Sequence, residues 1–247
     1  MDAPWNLTST QWSRLLLNGI TPEVLGAKLL KGSFPVWTDV LLKFSNPEDR
    51  VLDLGSGRGE HSAILALNTR KTTLLDWSTE NIRYSSRVFR AMGIEGSFCH
   101  ADLTKPLPFE NNGFDIVFCC GVLEYFTSEQ IDSILREAFR VSAKRVIMMV
   151  PNALSLAYRI GKSYMERNAQ WHWGGEVPAY SLKRRFRAAG MTRLTEFSVA
   201  PDHSLTFLSM PLGGPIREIC RRVLRLRDSS KPSLFRQGYL LVTIGDK

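Results

Sequence analysis

No stretch of the 247 residues approaches the roughly 18 uninterrupted apolar residues that a membrane-spanning helix needs. The opening Met1-Asp2-Ala3-Pro4-Trp5 has neither the basic nor the apolar region of a secretory signal, so the expected address is cytoplasmic. Cysteine is scarce and unpatterned. Cys99, Cys119, Cys120 and Cys220 contain no Cys-x-x-Cys pair, which argues against a disulfide framework and against a zinc site, and no other metal-ligand cluster is visible. In a strand, adjacent Cys119 and Cys120 point to opposite faces. No internal repeat or low-complexity tract is present, so a solenoid or a fibrous architecture is excluded.

What is present is the composition of a globular enzyme-sized domain: 44% apolar and 23% charged residues, with six Trp and thirteen Phe to fill a core. One α/β domain with an appended cap uses the whole length. Net charge is +8, unevenly spread: residues 1–150 hold 16 basic and 17 acidic side chains, residues 151–247 hold 16 and 7. The positive excess therefore lies in the last two fifths, as an anion-facing surface or as an ordinary solvated one.

From residue 50 the chain alternates strand and helix patterns. Strands are predicted over 50–54, 72–76, 97–102, 114–120 and 145–150, the last stopped by Pro151. The fourth is almost wholly apolar, as a strand covered on both faces must be. Helices are predicted from Glu60 to Leu67, from the Ser78 cap to Met92 with Ile82, Ser85, Ser86 and Phe89 on one side, and from Ser128 with Ile131, Ile134, Leu135 and Ala138 inward. This alternation predicts a parallel, doubly wound sheet. The first 49 residues read as a helical lid carrying Trp5, Trp12, Leu15 to Leu17, Phe34 and Trp37. After Pro151, helices are predicted over 153–167 and 181–189, strands over 193–199 and 238–244, and an amphipathic helix over 213–227. That last helix sets Ile216, Ile219, Cys220, Val223 and Leu226 against Arg217, Arg221, Arg222 and Arg225, a stripe that can pack on its own domain or lie on an anionic membrane surface.

The turn after the first strand, Gly55-Ser56-Gly57-Arg58-Gly59, lets backbone approach a ligand and opens a helix whose free N–H groups favour an anion. Its third glycine comes one residue earlier than in the dinucleotide fingerprint, which tilts the reading away from NAD. Asp76, 21 residues after Gly55, ends the second strand where a carboxylate can accept both ribose hydroxyls. Asp102 can accept from an adenine amine, and Trp77 can cover the adenine or ribose.

Together, Val51-Leu52-Asp53-Leu54-Gly55-Ser56-Gly57-Arg58-Gly59, Asp76, Ala101-Asp102-Leu103, Phe114-Asp115-Ile116-Val117 and Gly121-Val122-Leu123-Glu124 resemble the successive motifs of the class I S-adenosylmethionine-dependent methyltransferases, over about Arg50 to Asn152. The resemblance implies a Rossmann-like α/β fold: a doubly wound seven-stranded sheet of order 3-2-1-4-5-7-6 with strand 7 antiparallel. It also implies a single domain over 1–247, divided into a helical N-terminal lid (1–49), a cofactor-binding core (50–151) and an acceptor-site cap with the last strands (152–247). The cofactor implied is S-adenosyl-L-methionine, with its methionine end on Asp53, Gly55, Ser56 and Gly57, its ribose on Asp76, its adenine on Asp102 and Leu103 beside Trp77, and its sulfonium near Gly121. Asp115 is expected to be structural.

Candidates for a base, needed only if the acceptor is protonated, are Glu124, Tyr125 and His172; Tyr125 stands where relatives often carry His. Trp171 and Trp173 around His172 either wall the acceptor site or pin the insertion to the core. His61 and His100 read as structural. The turn Cys120-Gly121-Val122-Leu123 lacks the Asn/Asp-Pro-Pro-aromatic sequence of DNA amino methylation, no Pro-Cys nucleophile suggests cytosine C5 chemistry, and no ligand cluster suggests a magnesium-dependent catechol enzyme. The expected acceptor is an oxygen or nitrogen of a small molecule, a glycan or a lipid-linked group, with peripheral membrane contact through 213–227 and no DNA. The alternatives are an RNA methyltransferase using the basic C-terminal region, a non-catalytic S-adenosylmethionine-binding module and, third, a nicotinamide dehydrogenase.

Overall fold

A computed structural model describes residues 8–211, 213–223, 232 and 236–247. The opening pentapeptide and the 224–227 end of the expected amphipathic helix lie outside the described residues. Three helices come first: α1 (Ser9–Leu17), α2 (Pro22–Leu30) and α3 (Thr38–Lys43). Thr8 and Gln11 close a capping box on α1, and Thr21 caps α2 ahead of Pro22, whose fixed φ suits a first helical position.

The core follows as β1 (Arg50–Leu54), α4 (Glu60–Leu67), β2 (Lys71–Asp76), α5 (Thr79–Met92), β3 (Ser97–His100), β4 (Phe114–Cys120), α6 (Ser128–Val141) and β5 (Ser142–Pro151). After Pro151 come α7 (Leu156–Arg167), α8 (Lys183–Ala188), β6 (Thr192–Val199), α9 (Pro201–Leu205), α10 (Gly213–Val223) and β7 (Leu240–Asp246). The sheet order is β3-β2-β1-β4-β5-β7-β6, and β7 runs antiparallel to both β5 and β6 while the other pairings are parallel. This is the topology that the resemblance implied.

The strand period of two sorts side chains onto two covered faces. Leu52, Leu54, Val117, Cys119, Val146 and Met148 pack with Ile134, Leu135 and Ala138 of α6; Val51, Ile116, Phe118, Ile147 and Met149 pack with Val40 and Leu41 of α3, with Cys120 beside them. Cys119 and Cys120 thus do face opposite sides. Far from the ligand end, Asp115 accepts from the Arg50 backbone and guanidinium and pairs with Lys144. Partial burial pushes its carboxyl up, but these partners prevail and hold it at about 2, consistent with a structural role.

Differences from the sequence expectations have local causes. The third strand stops at His100, because Asp102 turns the chain by accepting from the Thr104 backbone. The fifth begins at Ser142, directly after α6, and not at Arg145. The helix expected from 153 starts at Leu156: the Asn152 carboxamide donates to the Arg236 and Gly238 carbonyls and accepts from Leu154 N–H, holding 152–155 as a turn. In α5 the buried stripe is Asn81, Tyr84, Ser85, Val88, Phe89 and Met92, so Ile82 and Ser86 stand at its edge. Ile216 and Ile219 of α10 are exposed, so these two residues of the expected apolar stripe do not pack inward, while Cys220 is half-buried.

Candidate active site

The carboxyl ends of β1, β2 and β4 meet at one opening, the place where a doubly wound sheet binds ligands. The glycine turn is drawn onto β2 by Gly55 and Ser56 N–H groups that both donate to the Leu75 carbonyl, at 2.8 and 3.0 Å. Gly55 and Gly57 have φ of 77° and 53°, in the region that favours glycine. A Cβ on Gly55 would meet Val122 Cγ2 at 2.7 Å, so this glycine is also required by packing against the loop after β4.

Asp76 organises the turn. Its Oδ2 accepts from Gly57 N–H at 2.9 Å, and its Oδ1 from Ser78 N–H at 2.9 Å and from the Asn81 amide at 3.2 Å. Burial raises its pKa, and these bonds partly offset that. Asp53 is equally buried but has fewer hydrogen bonds: desolvation lifts it to about 7, against the lowering effect of a 2.7 Å hydrogen bond from Ser62, while Asp76 pushes the same way as burial.

These residues line a cavity of about 190 Å³. All nine residues expected at the cofactor, Asp53, Gly55, Ser56, Gly57, Asp76, Trp77, Asp102, Leu103 and Gly121, border it. Two polar atoms there, Ser56 Oγ and Asn81 Oδ1, are buried without a hydrogen-bond partner among the described residues, as expected of groups that wait for a ligand. Helix α1 lies across the opening, placing Trp12 and Leu16 in the wall, and a buried 2.7 Å bond between Ser13 and Ser78 hydroxyls ties it to the start of α5.

Beyond Gly121 the cavity is walled by rings. Trp12 stands edge-on to Tyr125 with centroids 4.9 Å apart and to Trp173 at 6.0 Å. Behind Tyr125 lie two buried carboxyls. Glu176 accepts from the Tyr158 hydroxyl and, at 3.5 Å, from the Tyr125 hydroxyl. Glu124 does not border the cavity directly; its Oε1 is 3.6 Å from where a Gly121 Cβ would stand, and its Oε2 has no hydrogen-bond partner among the described residues. Burial, then the Glu176 charge, pushes the Glu124 pKa well up; burial also raises Glu176, opposed by Tyr158, Lys162 and Tyr125. The Tyr125 phenol is raised by burial and by both carboxyls, so it stays protonated.

The structure does not bring His172 into this group: it is exposed and borders no part of the cavity. The flanking tryptophans divide the two roles expected of them. Trp173 walls the cavity, whereas Trp171 anchors the insertion, with its indole N–H on the Gly174 carbonyl and its ring against Phe207 and the Lys162 ammonium. His61 borders the cavity but is engaged by the Thr38 hydroxyl at 2.8 Å, and burial lowers its pKa. His100 donates to the Trp77 carbonyl at 2.9 Å, bracing the residue after β2. Sequence reasoning missed Asn81, Glu176 and Tyr158; only the Ser78 cap, which fixes α5 against Asp76, foreshadowed Asn81.

Residues 51–145 match the family model described as a methyltransferase domain. A search of curated protein sequences found no match. Among solved structures, 97% of this chain aligns with all of an S-adenosylmethionine-dependent methyltransferase of Thermotoga maritima, described as a possible histamine N-methyltransferase, at 15% identity and TM-score 0.63. It aligns over 96% with 99% of an S-adenosylmethionine-dependent methyltransferase of Archaeoglobus fulgidus at 17% identity and TM-score 0.58. It also aligns over 96% with 93% of magnesium protoporphyrin IX methyltransferase from Synechocystis, holding S-adenosylhomocysteine, at 14% identity and TM-score 0.57. The structural likenesses speak to the fold, and the domain match covers the segment that builds the glycine turn, Asp76 and Gly121. On these grounds residues 51–145 match a methyltransferase domain, and the chain as a whole has the fold of S-adenosylmethionine-dependent methyltransferases.

Proposed function

We propose that this enzyme methylates an oxygen or nitrogen of a small-molecule, glycan-end or lipid-linked acceptor seated at the ring-walled end of the cavity. The observation that carries the reading is the meeting of Trp12 from α1 and Trp173, itself 39% exposed, at that end, an aromatic wall suited to a compact acceptor.

The residues present fit the cofactor. The side-chain-free faces of Gly55 and Gly57, the orphaned Ser56 and Asn81 oxygens, and the buried Asp53 and Asp76 suit a ligand with a cationic centre and many donors. In this reading Asp53, Gly55, Ser56 and Gly57 hold the methionine end, Asp76 the ribose, and Asp102, Leu103 and Trp77 the adenine, with the sulfur near Gly121. S-adenosylmethionine supplies a methyl group on a positively charged sulfur that leaves with the carbon–sulfur electron pair. The chain's own contribution is alignment for in-line attack and exclusion of water. Tyr125 serves as wall and hydrogen-bond donor, and Glu124 is the candidate base.

For a lipid-linked acceptor, the exposed Ile216 and Ile219 of α10 favour contact with an anionic membrane surface. The RNA alternative draws less support, because Arg221 and Arg222 are ion-paired with Asp202 and Glu218.

The test is release of S-adenosylhomocysteine across a panel of amines, alcohols and sugars, repeated with Trp12→Ala. The acceptor loses one aromatic face of its wall, a contact of about 0.5–1.5 kcal/mol, so kcat/KM for the acceptor should fall roughly two- to tenfold. A cofactor affinity that falls as far as kcat/KM, or an unchanged kcat/KM, contradicts the placement of the acceptor.

A further inference from the structure

Two carboxyls buried side by side are costly unless something compensates them. Glu124 is 5% exposed and Glu176 7%. Glu176 has its hydroxyl donors, but Glu124 Oε2 has none among the described residues. The nearby cation, Lys162, acts on Glu176 and leaves Glu124 to itself: it pairs with Glu166 and lies over the Trp171 ring at 4.7 Å. What borders this pair on the cavity side is Gly121, which contributes no side chain, and the ring of Tyr125 beside Trp12 and Trp173. Aromatic faces attract cations, and an unpaired carboxyl behind them supplies the countercharge.

The geometry points to an acceptor that carries a basic nitrogen, its ammonium set against the aromatic wall of Trp12, Tyr125 and Trp173, with the Glu124 carboxyl behind Gly121 as its countercharge and Glu176 as a positioning residue whose charge acts on Glu124. This rests on the acceptor site proposed above and names its substrate class. Among the described residues, the titratable groups that sense Glu124 or act on it are Glu176, Cys119, Cys120, Tyr125, Tyr158 and Tyr239, none of them a cation. In the empty site Glu124 holds its proton, since burial and Glu176 both oppose its charge. An arriving ammonium reverses that balance, and Glu124 releases the proton to solvent.

The ammonium has no lone pair and must lose a proton before it can react. In the step inferred, one N–H bond breaks as its proton passes through one bridging water to the Glu124 carboxylate. The freed nitrogen pair becomes the new N–C bond, the C–S pair stays on sulfur, and Glu124 then passes the proton to solvent.

The experiment uses benzylamine, benzyl alcohol and benzoate as probes, added to the whole chain saturated with S-adenosylhomocysteine. It reads thermal stabilisation, and calorimetry in buffers of different ionisation enthalpy. Benzylamine should stabilise while the other two do not, with release of up to one proton per molecule bound near neutral pH. Glu124→Gln should weaken benzylamine at least tenfold and abolish the proton release while S-adenosylhomocysteine still binds. Glu176→Gln removes the charge that helps keep Glu124 protonated, so proton release should fall at the same pH, an effect that a merely structural role would not produce.

Stabilisation by benzyl alcohol or benzoate equal to that by benzylamine, and abolished in Trp173→Ala, overturns the amine class and leaves the acceptor site standing. A benzylamine effect that survives both glutamate substitutions also overturns the inference. Failure of all three probes overturns the inference and the acceptor site together.

Discussion

Replacing Gly57 and Gly59 separately by alanine distinguishes a turn that cradles a ligand from one that merely folds. Both have positive φ, 53° and 73°, so each alanine costs about 1–2 kcal/mol in backbone strain. Their surroundings differ. A Cβ on Gly57 meets only Leu16 Cδ1 at 3.7 Å, an ordinary contact, and Gly57 borders the cavity. A Cβ on Gly59 meets Leu74 Cδ2 and Ser85 Cβ, both at 2.8 Å, on the side where α4 presses against β2 and α5, and Gly59 is not in the cavity wall. Overpacking there adds about 1–3 kcal/mol. Gly57→Ala should therefore lose about 2–8 °C in melting temperature and Gly59→Ala about 4–20 °C. Affinity for S-adenosylhomocysteine should run the other way, falling more than tenfold in Gly57→Ala and staying within a few-fold in Gly59→Ala. Calorimetric titration at a temperature where both variants are folded checks this. Wild-type affinity in Gly57→Ala, or equal losses in the two variants, would refute the cradle.

Asp53 predicts a pH dependence. Its folded pKa of about 7 lies above the ordinary 3.8, so the native state holds a proton that the unfolded chain gives up between those values. Its contribution to stability is thus complete below about pH 4 and lost as pH rises through 7, by about 4 kcal/mol at most. Asp53→Asn should gain on the wild type over that window in urea denaturation; parallel pH curves would contradict the burial argument. In the cap, a Cβ on Gly161 would lie 2.1 Å from the Phe207 carbonyl oxygen. Gly161→Ala should destabilise by about 3 kcal/mol or more, with amide exchange rising first in α7 and α9. Uniform protection in those helices would show that the close crossing is not rigid.

The parts of the fold legible in the sequence are those that local chemistry specifies. Helix α4 spans Glu60–Leu67 and β4 spans Phe114–Cys120 as expected, because a glycine turn starts the one and an apolar run broken only by Asp115 defines the other. The cofactor candidates sit at strand ends marked by glycine or aspartate, and all nine border one cavity. What long-range packing decides was not legible. Glu176 meets Tyr125 across 51 residues, and Ser13 meets Ser78 across 65. Nothing near Trp12 marks it as a cavity wall, since an aromatic on a short amphipathic helix is compatible with any apolar surface. His172 shows the converse: a histidine between two tryptophans invites a catalytic role, yet Trp173 borders the cavity while the imidazole stands in solvent.

The most direct test of the central claim is calorimetric titration of S-adenosylhomocysteine and NAD into the folded wild type and Asp76→Ala. Two charge-assisted bonds to ribose hydroxyls are worth about 1.5–3 kcal/mol each, so the account predicts tight S-adenosylhomocysteine binding that weakens at least a hundredfold in the variant, with no NAD binding to either. Equal affinity in wild type and variant, or binding of NAD in place of S-adenosylhomocysteine, would contradict it.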